Sequence, residues 1–349
     1  MLPTMRIAIA ALGLAAVAAA QTTVTIPCSL DNSLYEDAAG SLSNAKGTGL
    51  FVGVTGQNTK RRALVKFDIA GALPAGARVL DASLNITVTR TAVPFDVDVF
   101  AHRALASWGE GTSDAPGQEG AGAPSTNGDA TWRHRFYPNT LWTNLGGDFA
   151  PAASAVVRSP AYGAASSGAS SAFVQDVQQM LINPASNHGW LLKTNEAQAY
   201  VSRRLGSRES TTPPSLTVTY LLPGQTALWG TGCPVNGQNF LHAVGGAPIG
   251  GTTVQLQQLL GPANSPAVNL LALDLDGPGN PLLPQCNLHL PLTGPIVSHN
   301  ILVLDGSGFG SSPLPIPVGF GGVFLVSQTA ALTPSGSFVL SNAAAMLLQ

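Results

Sequence analysis

Fifteen residues from Gly128 to Trp142, GDATWRHRFYPNTLW, hold two tryptophans, a tyrosine, a phenylalanine, a histidine and two arginines, in a chain only 6% aromatic and 10% charged. Tyr137 and Trp142 flank a Pro-Asn turn, and aromatic rings held on a loop can stack on a sugar ring. Within TWRHRF, period-two alternation puts Trp132, His134 and Phe136 on one face and Thr131, Arg133 and Arg135 on the other, which reads as aromatic core with a tucked histidine. Cations supply the second half of such chemistry. The stretch RRALVKFDI presents Arg62 and Lys66 on the polar face of a strand, and SRRLGSRES places Arg204 and Arg208 on or beside a later one. If these strands approach one another, four cations line one surface suited to the carboxylates of an acidic polysaccharide. If they pair instead with Asp68, Glu209 and Asp31, they are ordinary solvated ion pairs of little energetic weight.

Acidic residues offer less. Glu110 with Glu119 or Asp114 is the nearest candidate pair for a glycosidase, whose two carboxyls must stand about 5 to 10 Å apart, one with a raised pKa. They fall in GEGTSDAPGQEGAGAP, a Gly-rich stretch that reads as a solvated loop. Neither a Gly-x-Ser-x-Gly elbow nor a Walker loop occurs. Structural Ca²⁺ would find oxygens at Asp31, Asn32, Glu36 and Asp37 or at Asp96 and Asp98, but no Asp-x-Asp-x-Asp-Gly loop is present and no His and Cys spacing suggests zinc. The expectation is a protein without a catalytic site or required cofactor.

The elements that would position these residues are strands. RRALVKFDI alternates Ala63, Val65, Phe67 and Ile69 against Arg62, Leu64, Lys66 and Asp68, and DASLNITVTR sets Leu84, Ile86 and Val88 opposite Ser83, Asn85, Thr87 and Thr89, the pattern of half-buried antiparallel strands. One segment departs from it. In FVQDVQQMLINP, Phe173, Val177, Met180 and Leu181 recur at helical spacing and Pro184 ends the run, predicting one short amphipathic helix. Beyond Tyr220 the strands TTVQLQQLL, AVNLLALDL, NILVLD, GGVFLVS and GSFVLSN are short and apolar, punctuated by Gly and Pro, as in a second small β-sandwich.

Charge and cysteine set the larger organisation. All sixteen Lys and Arg lie between Arg6 and Arg208, and beyond Tyr220 only Asp274, Asp276 and Asp305 are charged. So abrupt a change predicts domains over 21–220 and 231–349 joined by a linker at 221–230. A net charge of −2 excludes a phosphate-driven nucleic-acid binder. Residues 1–20, with Arg6, an apolar run and Ala18, Ala19 and Ala20, read as a secretory signal rather than a membrane anchor. The mature chain is therefore expected to be secreted, extracellular or at the cell surface, without a membrane span. There, of three cysteines, Cys233 and Cys286 share the second domain and are paired on that ground, leaving Cys28 as a buried small hydrophobe.

Five stretches in order, RRALVKFDI, ASWGEGTSD, GDATWRHRF, NPASNHGWLLK and SRRLGSRESTTPPSLTVTY, resemble the DNRLRE-domain family over about residues 22–220. That resemblance implies a jelly-roll β-sandwich similar to carbohydrate-binding modules of secreted bacterial proteins. GTGCP at 230–234, QCNLHLPL and FVLSNAAAMLL resemble a C-terminal all-β module of secreted bacterial proteins, which supports the Cys233 to Cys286 pairing and implies no chemistry. The expected function is non-catalytic binding of an acidic polysaccharide through Arg62, Lys66, Arg204, Arg208, Tyr137 and Trp142. The alternative is a structural or cell-surface β protein without glycan binding, and a polysaccharide lyase or hydrolase is a weaker third.

Overall fold

A computed structural model describes residues 21–349; the signal segment read at 1–20 lies outside them. The described chain forms two compact units, one from Gln21–Pro223 with Leu275–Asn280, the other from Gly224–Asp274 and Pro281–Gln349. Both are all-β.

The first unit is a β-sandwich whose two sheets are joined at their seams. Strand Thr22–Tyr35 pairs through Thr22 to Pro27 with Ser215–Leu221, then, past an irregularity between Cys28 and Leu30, through Cys28 to Tyr35 with Lys60–Phe67. Gly49–Val54 makes the same change of sheet: Gly49 to Val52 face Arg203–Gly206, while Gly53 and Val54 face Arg61 and Lys60. The switch needs Gly53, which takes φ +103 and whose absent Cβ would stand 2.8 Å from the Val201 carbonyl oxygen. Between the sheets lie the alternating apolar residues foreseen from periodicity, Ala63, Val65, Phe67, Leu84, Ile86 and Val88 among them, together with Trp190. The Ser171–Ile182 helix adds Phe173, Val177, Met180 and Leu181 to that core. Its N-cap is Ser170, whose hydroxyl accepts from the Phe173 amide, and it stops at Asn183, before Pro184.

Two elements differ from the sequence expectation. The strand expected to run from Arg61 to Ile69 ends at Phe67, because the Asp68 carboxylate accepts the Gly71 amide at 3.1 Å and starts a one-turn helix, Ile69–Ala72. The strand expected through TWRHRF shrinks to His134–Phe136, paired with Thr140–Leu141 around a cis Tyr137–Pro138 bond.

In the second unit a five-stranded sheet runs in the order Thr226–Trp229, Phe338–Leu347, Phe324–Leu332, Pro266–Ala272, Val297–Val303. It is accompanied by a three-stranded one, Leu241–Gly245, Thr253–Leu259, Gly310–Pro315. The last strand was not foreseen, since Pro313 and Pro315 argue against a central strand; it lies at a sheet edge, where a missing N–H is tolerated. Val254, Leu256, Leu271, Ala344 and Met346 form an apolar core, and Cys233 and Cys286 are disulfide-bonded. Cys28 is free and buried, and burial raises its thiol far above the ordinary range. Among the described residues no helix is long and apolar enough to cross a membrane.

Candidate functional site

The six residues expected to bind glycan are not brought together. Arg62 points outward from its sheet as the alternation requires, but that face is covered rather than solvated. Residues from 108 to 149 fold over it, and Trp108, Trp132 and Trp142 pack with Leu34, Leu64 and Leu191 into a second apolar cluster. Arg62 is buried there, donating from Nε and Nη2 to Glu196 at 2.7 and 2.8 Å and from Nη1 to the Gly146 carbonyl at 2.8 Å, with its guanidinium 4.7 Å from the Trp132 ring. Burial alone would raise the Glu196 pKa, but the Arg62 hydrogen bonds and the charges of Arg62 and Lys193 hold it below the usual carboxylate range. Trp142 is equally enclosed, its Nε1 donating to the Thr131 carbonyl at 2.9 Å. Tyr137 is half-buried with its ring edge-on to His134. Lys66 is half-buried further along the Arg62 strand.

Arg208 belongs to a knot of ion pairs. It meets Glu110 at 2.8 Å and Glu209 at 2.7 Å, while Lys46 meets the same two at 2.8 and 3.6 Å. Asp31, fully buried, accepts the Arg208 amide at 2.6 Å. Burial first, then the charges of Glu209 and Glu110, push its pKa up to about 7. Three carboxyls thus face two cations, and a proton on Asp31 restores neutrality. The Gly-rich stretch from 109 to 124 is therefore not the solvated loop expected: Ser113, Ala115 and Glu119 are buried, and Glu119 accepts from Thr48, Asn44 and Arg204. Glu110 and Glu119 are both spent on basic partners.

The calcium ligands suggested by sequence are also dispersed. Glu36 pairs with Lys60, Asp37 caps Ser41, and Asp96 and Asp98 both pair with Arg158. Among the described residues no group of three or more His, Cys, Asp or Glu is arranged to hold a metal ion.

Cations do converge, but around Arg204 and with different companions. A cleft of about 400 Å³ is lined by Phe51, Arg61, Arg90, Arg203 and Arg204, with Thr55, Thr91, Gln118 and Ser202 among its polar walls. Strand register builds it. Arg204 lies directly opposite Phe51 on one neighbouring strand and Arg90 on the other, while Arg61 lies opposite Gly53 at the sheet switch. Like charges facing each other across a ladder are unfavourable, so this row is not what packing alone would select. Arg204 has a carboxylate partner, Glu119, at 3.1 Å. Among the described residues Arg61, Arg90 and Arg203 have no ion pair. Arg61 donates to the Lys60 and Gly120 carbonyls and lies 4.9 Å over the Tyr35 ring; Arg203 donates to Thr91 and the Phe95 carbonyl; Arg90 donates to Gln118. Burial holds the guanidinium groups of Arg61 and Arg203 below the usual arginine range, and the Nε groups of Arg61, Arg203 and Arg204 lack acceptors. Buried cations short of acceptors favour an arriving anion.

Two exposed rings stand near its rim in sequence and contact. Tyr200, 61% exposed, donates its amide to the carbonyl of Thr55, and Phe95, 48% exposed, follows Thr91 and Ala92 and supplies the carbonyl held by Arg203. Sequence reasoning missed Arg61, Arg90, Arg203, Phe51 and Tyr200, because it took each strand's outward face as the wet one. The signal available was the doublet Arg61-Arg62, which must send one arginine to each face of its strand.

No family model matches the chain, and no curated protein matches it. Among solved structures, a β-1,2-glucanase from Parabacteroides distasonis aligns over 94% of this chain and 37% of its own length, at 8% identity and a TM-score of 0.16. This chain thus spans well under half of that enzyme, and so low a score carries no argument about fold or activity.

Proposed function

We propose that the protein is an exported, non-catalytic binder of anionic polysaccharide, and that the arginine-lined cleft of the first unit is where it binds. The observation that carries this reading is the convergence of four arginines on one open cleft with, among the described residues, a single carboxylate, Glu119, as an ion-pair partner. Guanidinium groups match carboxylate geometry with two parallel N–H donors, so uronate residues fit this donor set. Phe51 inside and Tyr200 and Phe95 beside the cleft supply apolar ring faces for the sugar. The acids that a hydrolase would need are committed elsewhere, Glu110 to Lys46 and Arg208, Glu119 to Arg204. The resemblance of the 22–220 stretch to carbohydrate-binding modules supports the same reading.

Calorimetric titration of the full chain with polyuronate and neutral oligosaccharides tests it. Polyuronate binding should be measurable at low salt and weaken as the Debye length falls from about 10 Å at 0.1 M to about 3 Å at 1 M. Arg90→Ala should lower affinity roughly tenfold, the loss of about one charge-assisted contact. Absence of polyuronate binding at low salt by folded protein would sink the proposal.

A further inference from the structure

The second unit contains a polar cluster in its interior that glycan binding does not use. His242, Gln258, Asn269, Ser327 and Thr329 are each fully buried, and they come from both sheets: His242 and Gln258 from the three-stranded one, the others from the five-stranded one. Their polar ends meet one another. The His242 ring nitrogen Nδ1 lies 3.1 Å from Thr329 Oγ1 and 3.3 Å from Gln258 Nε2, and that hydroxyl and that amide nitrogen are themselves 3.3 Å apart. The opposite ring nitrogen, Nε2, is 2.9 Å from Ser327 Oγ. With Nε2–H donating to Ser327, Nδ1 is left as the basic atom. Asn269 Oδ1 accepts from both Gln258 Nε2 at 2.8 Å and Thr329 Oγ1 at 2.7 Å, which holds hydroxyl and amide against each other; a turn about the Thr329 C–O bond moves the hydroxyl proton from Asn269 to His242 Nδ1, 3.1 Å away.

We propose that Thr329 and Gln258 join in an intramolecular ester across this sandwich, with His242 carrying the proton. His242 Nδ1 takes the hydroxyl proton as Thr329 Oγ1 attacks the side-chain carbonyl carbon of Gln258, and a C–O bond forms. The imidazolium then gives that proton from Nδ1 to Gln258 Nε2, 3.3 Å away, the C–N bond breaks, and ammonia leaves. Hydroxyl plus carboxamide give ester plus ammonia, with no oxidant or reductant. One base within reach of both the nucleophile and the leaving nitrogen is the arrangement general acid–base catalysis needs. Burial keeps water away, so the ester persists once made. Gln258 Oε1 is a buried acceptor without a partner, and an ester carbonyl, a weaker acceptor than an amide, costs less to leave that way. The bond ties the Thr253–Leu259 strand of one sheet to the Phe324–Leu332 strand of the other, a covalent clamp across the sandwich.

Peptide mass mapping of the purified, reduced full chain decides it. No Lys or Arg follows Arg208, so trypsin leaves this unit in one piece and pepsin or chymotrypsin is used. The expected result is one cross-linked pair holding Gln258 and Thr329, its mass the sum of the two peptides less one ammonia. In Thr329→Val and His242→Gln chains the two peptides should separate at full mass. Separate full-mass peptides from the wild-type chain, a Gln258 peptide carrying glutamate, or a link to Asn269 would each overturn the proposal. The wild-type measurement suffices even if a variant fails to fold.

Discussion

Arg62 and Arg90 bring the same guanidinium to opposite tasks, and truncation separates them. Arg62→Ala removes two bonds to Glu196 and one to Gly146, leaving a buried carboxylate with Lys193 as its remaining ion pair. The expected loss is about 3 to 5 kcal/mol of folding stability, read from urea denaturation. Arg90 is exposed, so Arg90→Ala should stay within about 0.5 kcal/mol of wild type while weakening polyuronate binding. A variant pair showing the reverse pattern would move the site back to the face first read from the sequence. The residue rule behind the error is specific: an outward-facing strand position is wet only if nothing folds over it, and here three tryptophans do.

Among the elements, the helix and the loop at Gly146 make separable predictions. The Ser170 hydroxyl accepts from Phe173 N and donates to the Ser154 carbonyl, so Ser170→Ala should cost about 1 kcal/mol, the usual worth of an N-cap, as a lower thermal midpoint with unchanged glycan binding. Gly146 sits at φ +83 where a Cβ would stand 2.5 Å from Arg62 Nη1 and 2.9 Å from the Trp132 ring. Gly146→Ala should therefore destabilise by more than the cap variant, through both the left-handed backbone and the displaced guanidinium. A milder effect at Gly146 than at Ser170, measured by the same denaturation, would contradict the packing described for Arg62.

For the molecule as a whole, two buried groups make stability respond to pH in opposite directions. Burial pushes the His242 imidazole down to about 4, below its unfolded value of about 6.5, so between those pH values the unfolded chain binds the extra proton. That contribution is intact above about pH 6.5 and is lost as pH falls toward 4, in total about 3 kcal/mol. Asp31 runs the other way. Its folded pKa of about 7 lies above the ordinary carboxyl value, so its contribution is present at low pH and lost as pH rises through 7. The first unit holds four of the five tryptophans, so its transition can be followed by fluorescence. Asp31→Asn should flatten that transition's dependence between pH 4 and 7, and His242→Gln should flatten the second unit's over the same range. Unchanged slopes in both variants would show that neither group titrates as its burial implies.

The sequence by itself determined what is local and periodic: strands from two-residue alternation, the helix from Phe173, Val177, Met180 and Leu181, its end from Pro184, and the all-β class. It also held the clue to the polar cluster without declaring it. In TTVQLQQLL, Gln258 falls in phase with Val254 and Leu256, and in AVNLLALDL, Asn269 falls in phase with Ala267 and Leu271, polar residues on core-facing positions. Tertiary structure alone decided which faces are wet. A strand's alternation says that two faces differ; it does not say what a segment much later in the chain will lay over one of them. That covering buried Arg62 and Trp142, while the change of sheet at Gly53 and the register of three strands drew Arg61, Arg90, Arg203 and Arg204 to one cleft. Those four are spread over more than 140 positions in sequence, and only hydrogen-bond register across antiparallel strands makes neighbours of residues so far apart.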